Sequence, residues 1–354
     1  MSEDTDKVMG VRPVEAVALR GAYSSPKPKG RVDLFLDANE GRCAPSDVFE
    51  GISAEVARRY PDQSELCGII ARRLGVRPER VVVTAGGDDA IDRACRSVLA
   101  PGRTLLTTAP TFEMFERYAA LAGAGFEAEA WTEGAFPTAT VAGRVKAETG
   151  AIAVVTPNNP TGLVARAEDL MELSRAAPHA LLIVDLAYTE FADRDLTEVA
   201  LGLPNAVVIR TLSKAWGLAG VRVGYAAGPK EVIGWMRAAG GPYAVSAVSL
   251  EIARRRLAMG DDGVRRFVDR IRFERGQLRK VLLSAGAKAL ESQANFVFAR
   301  VADASGVRDR MAEQGIAVRA FVGRAGLEDA LRITCPGNER DFERVIEAVR
   351  FAME

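Results

Sequence analysis

Lys214 is the residue whose type and surroundings point most directly to chemistry. It lies in the segment Arg210-Thr-Leu-Ser-Lys-Ala-Trp-Gly-Leu-Ala-Gly-Val-Arg-Val-Gly-Tyr225, directly after a predicted strand, and Arg222 follows it by eight residues. Apolar neighbours disfavour the ammonium form of a lysine, which lowers its pKa and makes the amine usable for Schiff-base chemistry. This segment alone is equally compatible with a solvated loop lysine.

Asp185 ends the apolar run Leu181-Leu-Ile-Val-Asp-Leu-Ala-Tyr188. A carboxylate at the end of a buried strand is costly unless a positive group pairs with it, and a protonated pyridine nitrogen is such a group. Tyr188, three residues later, would reach a ring hydroxyl from the same side. A helix N-cap aspartate is the alternative interpretation of Asp185.

Two further turns follow predicted strands. The segment Val155-Thr-Pro-Asn-Asn-Pro-Thr-Gly162 places asparagine amides at the carboxyl end of a strand, where open α/β sheets bind ligands. The segment Val83-Thr-Ala-Gly-Gly-Asp-Asp-Ala-Ile91 places two glycines before a helix, where backbone N–H groups can approach a phosphate. Each turn alone is also compatible with an ordinary strand-to-helix loop, since the two aspartates cap helices without any ligand.

One cofactor requires all of these groups together. An aldehyde with a pyridine ring and a phosphate needs an amine, an acid partner, a hydroxyl or amide at the ring oxygen and a phosphate cradle. The combination predicts pyridoxal 5'-phosphate (PLP), held as an imine on Lys214.

The elements that must position these groups alternate between short β-branched runs and helical stretches. The predicted strands are Val81–Thr84, Thr104–Thr107, Ala151–Thr156, Leu181–Asp185, Ala206–Thr211 and Val223–Ala227. The predicted helices between them are Asp88–Leu99, Phe112–Ala122 and Ala167–Ala176. This alternation predicts an α/β fold with a mainly parallel sheet flanked by helices.

After about Gly241 the pattern changes to long amphipathic helices separated by single strands. These elements are the helices Gly263–Ser284 and Glu339–Met353 and the strands Ala294–Val301 and Ala330–Thr334. We predict a large cofactor-binding domain over residues 46–240. A smaller α+β domain would combine residues 1–45, including the strand-like Val32–Leu36, with residues 241–354.

The composition excludes several classes of function. Lys+Arg and Asp+Glu number 47 each, so no overall field favours nucleic acid or an anionic membrane. The four cysteines show no C-x-x-C spacing and His179 is the single histidine, which disfavours a metal site, disulfides and Ser-His-Asp chemistry. The polar N-terminus and the lack of a long uncharged apolar run predict a cytoplasmic protein.

Seven segments in order resemble the fold-type I PLP aminotransferases, and within them the histidinol-phosphate aminotransferase branch. They are Leu36-Asp-Ala-Asn-Glu40, Arg59-Tyr-Pro-Asp62, Ala109-Pro-Thr-Phe112, Asn158-Asn-Pro-Thr-Gly162, the Lys214 segment, Gln293-Ala-Asn-Phe296 and Leu331-Arg-Ile-Thr334. The resemblance implies an aminotransferase that moves an amino group between an amino acid or amino-phosphate and a 2-oxo acid, most like L-histidinol phosphate and 2-oxoglutarate. It also implies a homodimer with shared active sites.

The resemblance assigns the catalytic roles to Lys214, Asp185 and Tyr188. Lys214 would form the imine with PLP and then shuttle a proton, while Asp185 would keep the pyridine nitrogen protonated. Tyr188 and Asn159 would contact the ring oxygen. Phe112 occupies the ring-stacking position, which is usually tyrosine, and stacking needs only the face of the ring.

The remaining assignments concern the phosphate and the substrate. The cofactor-binding residues around the phosphate would be Gly86, Gly87, Asp88, Ser213 and Arg222, with Tyr60 reaching across from a partner subunit. Arg332 resembles the carboxylate-binding arginine of the family, and the substrate-binding set would be Arg332, Arg319, Tyr23 and Asn39.

Three departures from the family pattern leave the substrate open. Asn39-Glu40-Gly41-Arg42 replaces the usual Asn-Glu-Asn-Pro, and Leu186 replaces the usual glutamate after Asp185. Tyr23 is followed by Ser24-Ser25-Pro26 and not by the basic segment often seen in this branch. Two alternatives therefore remain beside transamination of histidinol phosphate. One is decarboxylation of a phosphorylated amino acid, and the other is transamination or oxidation of an amino acid in a specialised biosynthetic pathway.

Overall fold

The computed structural model describes residues 12–18 and 31–354, and Tyr23 lies outside them. The strands are β1 (Leu34–Phe35), β2 (Val81–Thr84), β3 (Thr104–Ala109), β4 (Gly125–Ala130), β5 (Thr149–Val155), β6 (Leu181–Asp185), β7 (Ala206–Thr211), β8 (Gly224–Ala227), β9 (Lys288–Ala289), β10 (Phe296–Arg300), β11 (Ile316–Ala317), β12 (Arg319–Ala320) and β13 (Ala330–Thr334). The helices are α1 (Glu15–Ala18), α2 (Ala54–Arg58), α3 (Ser64–Leu74), α4 (Gly86–Val98), α5 (Met114–Leu121), α6 (Thr138–Gly143), α7 (Ala167–Ala176), α8 (Thr197–Leu201), α9 (Lys230–Ala239), α10 (Ala247–Ala258), α11 (Asp262–Ser284), α12 (Ala304–Glu313) and α13 (Glu339–Met353).

A seven-stranded sheet forms the centre of the fold, in the order β2-β8-β7-β6-β5-β3-β4. The strands from β7 to β4 run parallel, and β8 runs antiparallel to both of its neighbours. Every residue of β5, β6 and β7 is buried, which explains why these strands are continuous apolar runs without alternation. The predicted α/β fold with a mainly parallel sheet is confirmed.

A second, antiparallel sheet has the order β12-β13-β10-β9 and packs with helices α11 and α12, which in turn contact α13. In its centre Phe296 of β10 lies opposite Thr334 of β13, and Phe298 lies opposite Arg332. Strand β1 pairs in parallel with β11, so the described part of the N-terminal segment contacts the C-terminal part of the chain. The exact domain boundaries remain a prediction.

The predicted and observed elements differ mainly where the local pattern is weak. The ends of β2, β6, β7, α7 and α13 are those predicted, whereas β4, with the sequence GFEAEA, was not predicted. Strand β4 lies at the edge of the sheet and is only half-buried, so it lacks the apolar run of the central strands. Within the described ranges, no helix is long and apolar enough to cross a membrane.

Candidate active site

A cavity of about 490 Å³ lies where the central strands end and the C-terminal sheet approaches them. Val155, Asp185 and Thr211, the last residues of β5, β6 and β7, all line it. The predicted site residues in its wall are Asn39, Gly87, Asp88, Phe112, Asn159, Asp185, Tyr188, Ser213, Lys214, Arg222, Arg319 and Arg332. Residues far apart in the sequence thus meet because parallel strands bring their carboxyl ends to one edge of the sheet.

Lys214 lies in the turn that follows β7, with its amine directed into the cavity. Its Nζ donates a hydrogen bond to the carbonyl oxygen of Ala38 at 3.1 Å. Burial, reinforced by the positive charge of Arg332, lowers the pKa of Lys214 to about 8. A lysine in this state is a usable nucleophile near neutral pH, which favours the chemical interpretation over that of a solvated loop residue.

The turn around Lys214 packs backbone-to-backbone against the segment after Glu40. A side chain on Gly41 would overlap the carbonyl oxygen of Lys214, and a side chain on Gly217 would overlap that of Arg42. Only glycine at both positions allows this approach. The two glycines therefore fix the distance between the N-terminal segment and the lysine turn.

Asp185 ends β6 with a side chain that is only 4% exposed. Its Oδ1 accepts a hydrogen bond from the backbone N–H of Ala187 at 3.0 Å. Burial raises the pKa of Asp185 to about 7; the nearby Asp88 acts in the same direction, and Lys214 opposes it. Such a carboxyl is poised to ionise when a positive group arrives beside it.

The start of α4 forms an anion cradle with Arg222. Gly86 begins the helix with a φ of +83°, and an ideal Cβ on it would lie 2.6 Å from Nη2 of Arg222. Arg222 adopts a left-handed backbone conformation with a φ of +56°, and its Nη2 donates to Oδ2 of Asp88 at 3.1 Å. Helix N–H groups, a guanidinium and the hydroxyl of Ser213 in one cavity wall suit a phosphate.

Tyr188 and Asn159 stand at the opposite part of the cavity, each held by a neighbour. The Oη of Tyr188 accepts from Nδ2 of Asn39 at 2.9 Å, and burial raises the pKa of the phenol. The Oδ1 of Asn159 accepts from Nη1 of Arg332 at 2.6 Å, and Nη2 of Arg332 donates to the carbonyl oxygen of Asp37. The phenol is therefore neutral and able to donate, and the amide N–H₂ of Asn159 remains for a ligand.

The mouth of the cavity contains residues that the sequence did not single out: Glu113, Phe321, Arg324 and Leu327. Arg324 forms an ion pair with Glu113, and the Arg319 guanidinium lies 5.7 Å from the centroid of the Phe321 ring. For Phe321, Arg324 and Leu327, the signal in the sequence was the segment that links the two candidate substrate arginines, Arg319 and Arg332. Glu113 directly follows the predicted ring-stacking residue Phe112.

Of the predicted site residues that the structure describes, Tyr60 and Gly86 do not themselves line the cavity. Tyr60 is 79% exposed and stacks on Tyr243 with ring centroids 4.5 Å apart, so its assigned contact across a subunit interface stays a prediction. Tyr23 lies outside the described residues. Gly86 adjoins the wall through Gly87 and Arg222.

The residues present fit PLP. The cavity offers an amine for the aldehyde, a buried acid for the ring nitrogen, a phenol and an amide for the ring oxygen, and the α4 cradle for the phosphate. Two of these groups are costly without a ligand: the buried acid of Asp185, and Arg222, whose non-glycine backbone has a φ of +56°.

Comparisons with known proteins agree with this arrangement. Residues 52–349 match the family described as aminotransferase class I and II. The chain is 35% identical over 328 residues to the histidinol-phosphate aminotransferase of Paracoccus denitrificans, which covers 89% of this chain and 88% of the relative. It is 36% identical over 323 residues to that of Roseiflexus castenholzii, with 85% of each chain covered. Among solved structures, histidinol-phosphate aminotransferase from Sinorhizobium meliloti, in complex with pyridoxal-5'-phosphate, has a TM-score of 0.83 at 25% identity over 91% of each chain.

Proposed function

Because this chain belongs to the class I and II aminotransferase family, we propose that it is a PLP-dependent histidinol-phosphate aminotransferase. Its reaction would move the amino group of L-histidinol phosphate to 2-oxoglutarate. The observation that carries the proposal is the meeting of Lys214, with a pKa of about 8, and the buried Asp185, with a pKa of about 7, in one cavity.

Lys214 performs the two steps that need a base. PLP, when bound, supplies an electron sink for negative charge at the α-carbon of the substrate. With a pKa of about 8, about a tenth of the Lys214 side chains are neutral at pH 7, so the amine is available to bind the aldehyde carbon covalently. Once an amino substrate has taken its place, the free amine removes the proton at the α-carbon and returns it to the cofactor side.

Other residues of the cavity set the electronics and the position of the ring. Asp185 would hold the protonated ring nitrogen as the ionised partner of an ion pair, which would relieve the cost of its burial. Phe112 contributes an apolar face to the wall and would pack on the ring. The α4 N-terminus, Ser213 and Arg222 would hold the phosphate, and the dianion would compete with Asp88 for the guanidinium.

Recognition of the substrate rests on a pair of arginines. Arg319 of β12 lies directly opposite Arg332 of β13 in the antiparallel register. Like charges facing each other across neighbouring strands repel, and an anionic ligand between them removes that cost. Histidinol phosphate carries a phosphate and 2-oxoglutarate carries carboxylates, so both partners of the reaction supply such an anion.

We also propose that the chain works as a homodimer in the cytoplasm. Tyr60 does not line the cavity of its own subunit and forms an exposed aromatic pair with Tyr243. Exposed aromatic side chains are enriched at subunit interfaces. In a dimer the Tyr60 hydroxyl would reach the phosphate of the partner's cofactor, and analytical ultracentrifugation of Tyr60→Ala would test that surface.

The central experiment loads the purified chain with PLP, reduces it with borohydride and maps the modified peptide by mass spectrometry. We expect one modification, on Lys214, that is absent in Lys214→Ala and retained in the matched surface variant Lys230→Ala. A wild type that takes up no PLP refutes the proposal. Formation of glutamate from histidinol phosphate and 2-oxoglutarate then tests the proposed transamination. Release of carbon dioxide from phosphorylated amino acids would instead show that the chain is a decarboxylase.

A further inference from the structure

Asn39 has both ends of its carboxamide engaged by protein groups. Its Nδ2 donates to the Oη of Tyr188 at 2.9 Å, and its Oδ1 accepts from the hydroxyl of Thr334 at 3.0 Å. Asn39 is 1% exposed and its φ is +57°, a left-handed conformation that asparagine tolerates better than most residues. The carbonyl oxygen of the same residue accepts from Nδ2 of Asn295 at 3.2 Å.

These contacts define the direction in which the Tyr188 hydroxyl donates. A carboxamide has one donor end and one acceptor end, and in the structure the Thr334 hydroxyl donates to Oδ1, so the N–H₂ group faces Tyr188. The phenol oxygen accepts that N–H, and its own proton is left for a partner in the cavity. With the opposite amide orientation, Tyr188 would donate its proton to Asn39 and none would face the cavity.

The C-terminal sheet holds the Tyr188 ring as well as its hydroxyl. Phe296 contacts the ring edge-on, with centroids 5.4 Å apart and planes at 86°. Phe296 is the register partner of Thr334 across β10 and β13. Two facing residues of one strand pair therefore fix the plane of the ring and, through Asn39, the direction of its proton.

We propose that Asn39 and Thr334 are positioning residues, which aim the Tyr188 hydroxyl proton at the oxygen of the cofactor ring. Asn39 thereby has a role other than the substrate contact that the sequence suggested. The inference rests on the proposed function for the identity of the acceptor, but the orientation itself is a property of the chain without cofactor.

The first test uses the loaded protein and measures the pH midpoint of the absorbance change of the lysine-bound cofactor. A hydrogen bond donated to the ring oxygen makes that oxygen less basic, so its loss moves the midpoint to higher pH, by about one unit for a hydrogen bond of about 1.4 kcal/mol. We expect this shift in Tyr188→Phe, which removes the phenol hydroxyl. In Thr334→Val the midpoint should shift in the same direction, because loss of the threonine hydroxyl leaves the Asn39 amide free to turn. Thr334→Ser keeps the hydroxyl and should have the wild-type midpoint.

A matched control separates this effect from a general loss of stability. Thr107 is a buried threonine of β3 whose hydroxyl donates to the carbonyl oxygen of Ala153, outside the cavity. Thr107→Val should lower stability and leave the midpoint unchanged. A shift in Tyr188→Phe without any shift in Thr334→Val overturns the inference and leaves the proposed function standing.

The second test needs no cofactor. Urea unfolding of Thr334→Val, Tyr188→Phe and the double variant forms a double-mutant cycle through Asn39. We expect the loss in the double variant to be smaller than the sum of the two single losses, because either change breaks the same chain of hydrogen bonds. Additive losses overturn the inference, even in a protein that binds PLP as proposed.

Discussion

Replacement of Asp185 by asparagine probes the cost of burying an acid in the cofactor-free protein. The asparagine side chain would keep the shape of the aspartate and an acceptor for the N–H of Ala187, but it carries no charge. The folded state holds the proton of Asp185 up to about pH 7, whereas the unfolded chain releases it near 3.8. In that window the folded state binds more protons, so the contribution of Asp185 to stability falls as the pH rises.

The expected magnitude follows from the two pKa values. Between about pH 5 and about pH 8 the wild type should lose about 3 kcal/mol of unfolding free energy relative to Asp185→Asn. The variant should therefore be the more stable protein at about pH 8 without cofactor, although it binds PLP more weakly. Its neutral amide cannot form the ion pair with the ring nitrogen.

Urea unfolding of both cofactor-free proteins at the two pH values measures the difference. Asp193→Asn, at an exposed position shortly after the same strand, is the control and should show no such pH-dependent difference. If the difference in unfolding free energy between wild type and variant does not change with pH, the reasoning that burial raises the pKa of Asp185 is refuted. A difference of the opposite sign would show that a positive group already neutralises it.

Two further substitutions address the phosphate and the substrate. Gly86→Ala places a Cβ 2.6 Å from Nη2 of Arg222 at a φ of +83°. Equilibrium dialysis should show PLP bound about tenfold more weakly or worse, since the added methyl group displaces the Arg222 guanidinium and a hydrogen bond to a charged group contributes about 1.5–3 kcal/mol. Gly234→Ala, in a helix with open space around it, should bind PLP as the wild type does, and equal affinities in all three proteins would exclude the α4 cradle. Arg332→Ala should raise the KM for the anionic substrate by about 10- to 150-fold, the value of charge-assisted hydrogen bonds of about 1.5–3 kcal/mol, with PLP retained. Loss of PLP from Arg332→Ala would place that arginine in the cofactor site.

The sequence was sufficient to predict the site residues that follow the central strands. Asp185, Lys214 and the pair Gly86 and Gly87 each come directly after an apolar run, and parallel strands carry such residues to one edge. The buried strands were recognisable because each is a short β-branched run bounded by turn residues. Each of these predictions depends only on a short stretch of sequence, and the structure has the predicted strand in each case.

The order of the strands and the contacts between the two sheets could not be predicted from such local patterns in the sequence. Strand β8 enters antiparallel between β2 and β7, a pairing that the periodicity of its residues does not encode. The contact of Asn39 with Tyr188 joins residues 149 positions apart. Thr334 did leave a signal, because alternation along β13 puts it on the same face as Arg332, two residues earlier.

The paired glycines at positions 41 and 217 limit which segments can be exchanged between proteins of this family. Because each occupies the space where a side chain would meet the other segment's backbone, neither position can change independently of the opposing loop. Placing Asn-Pro at positions 41 and 42 alone would force the turn of Lys214 to move. When segments are exchanged between related proteins, the N-terminal segment and the lysine turn must therefore be transferred together, although they are far apart in the sequence.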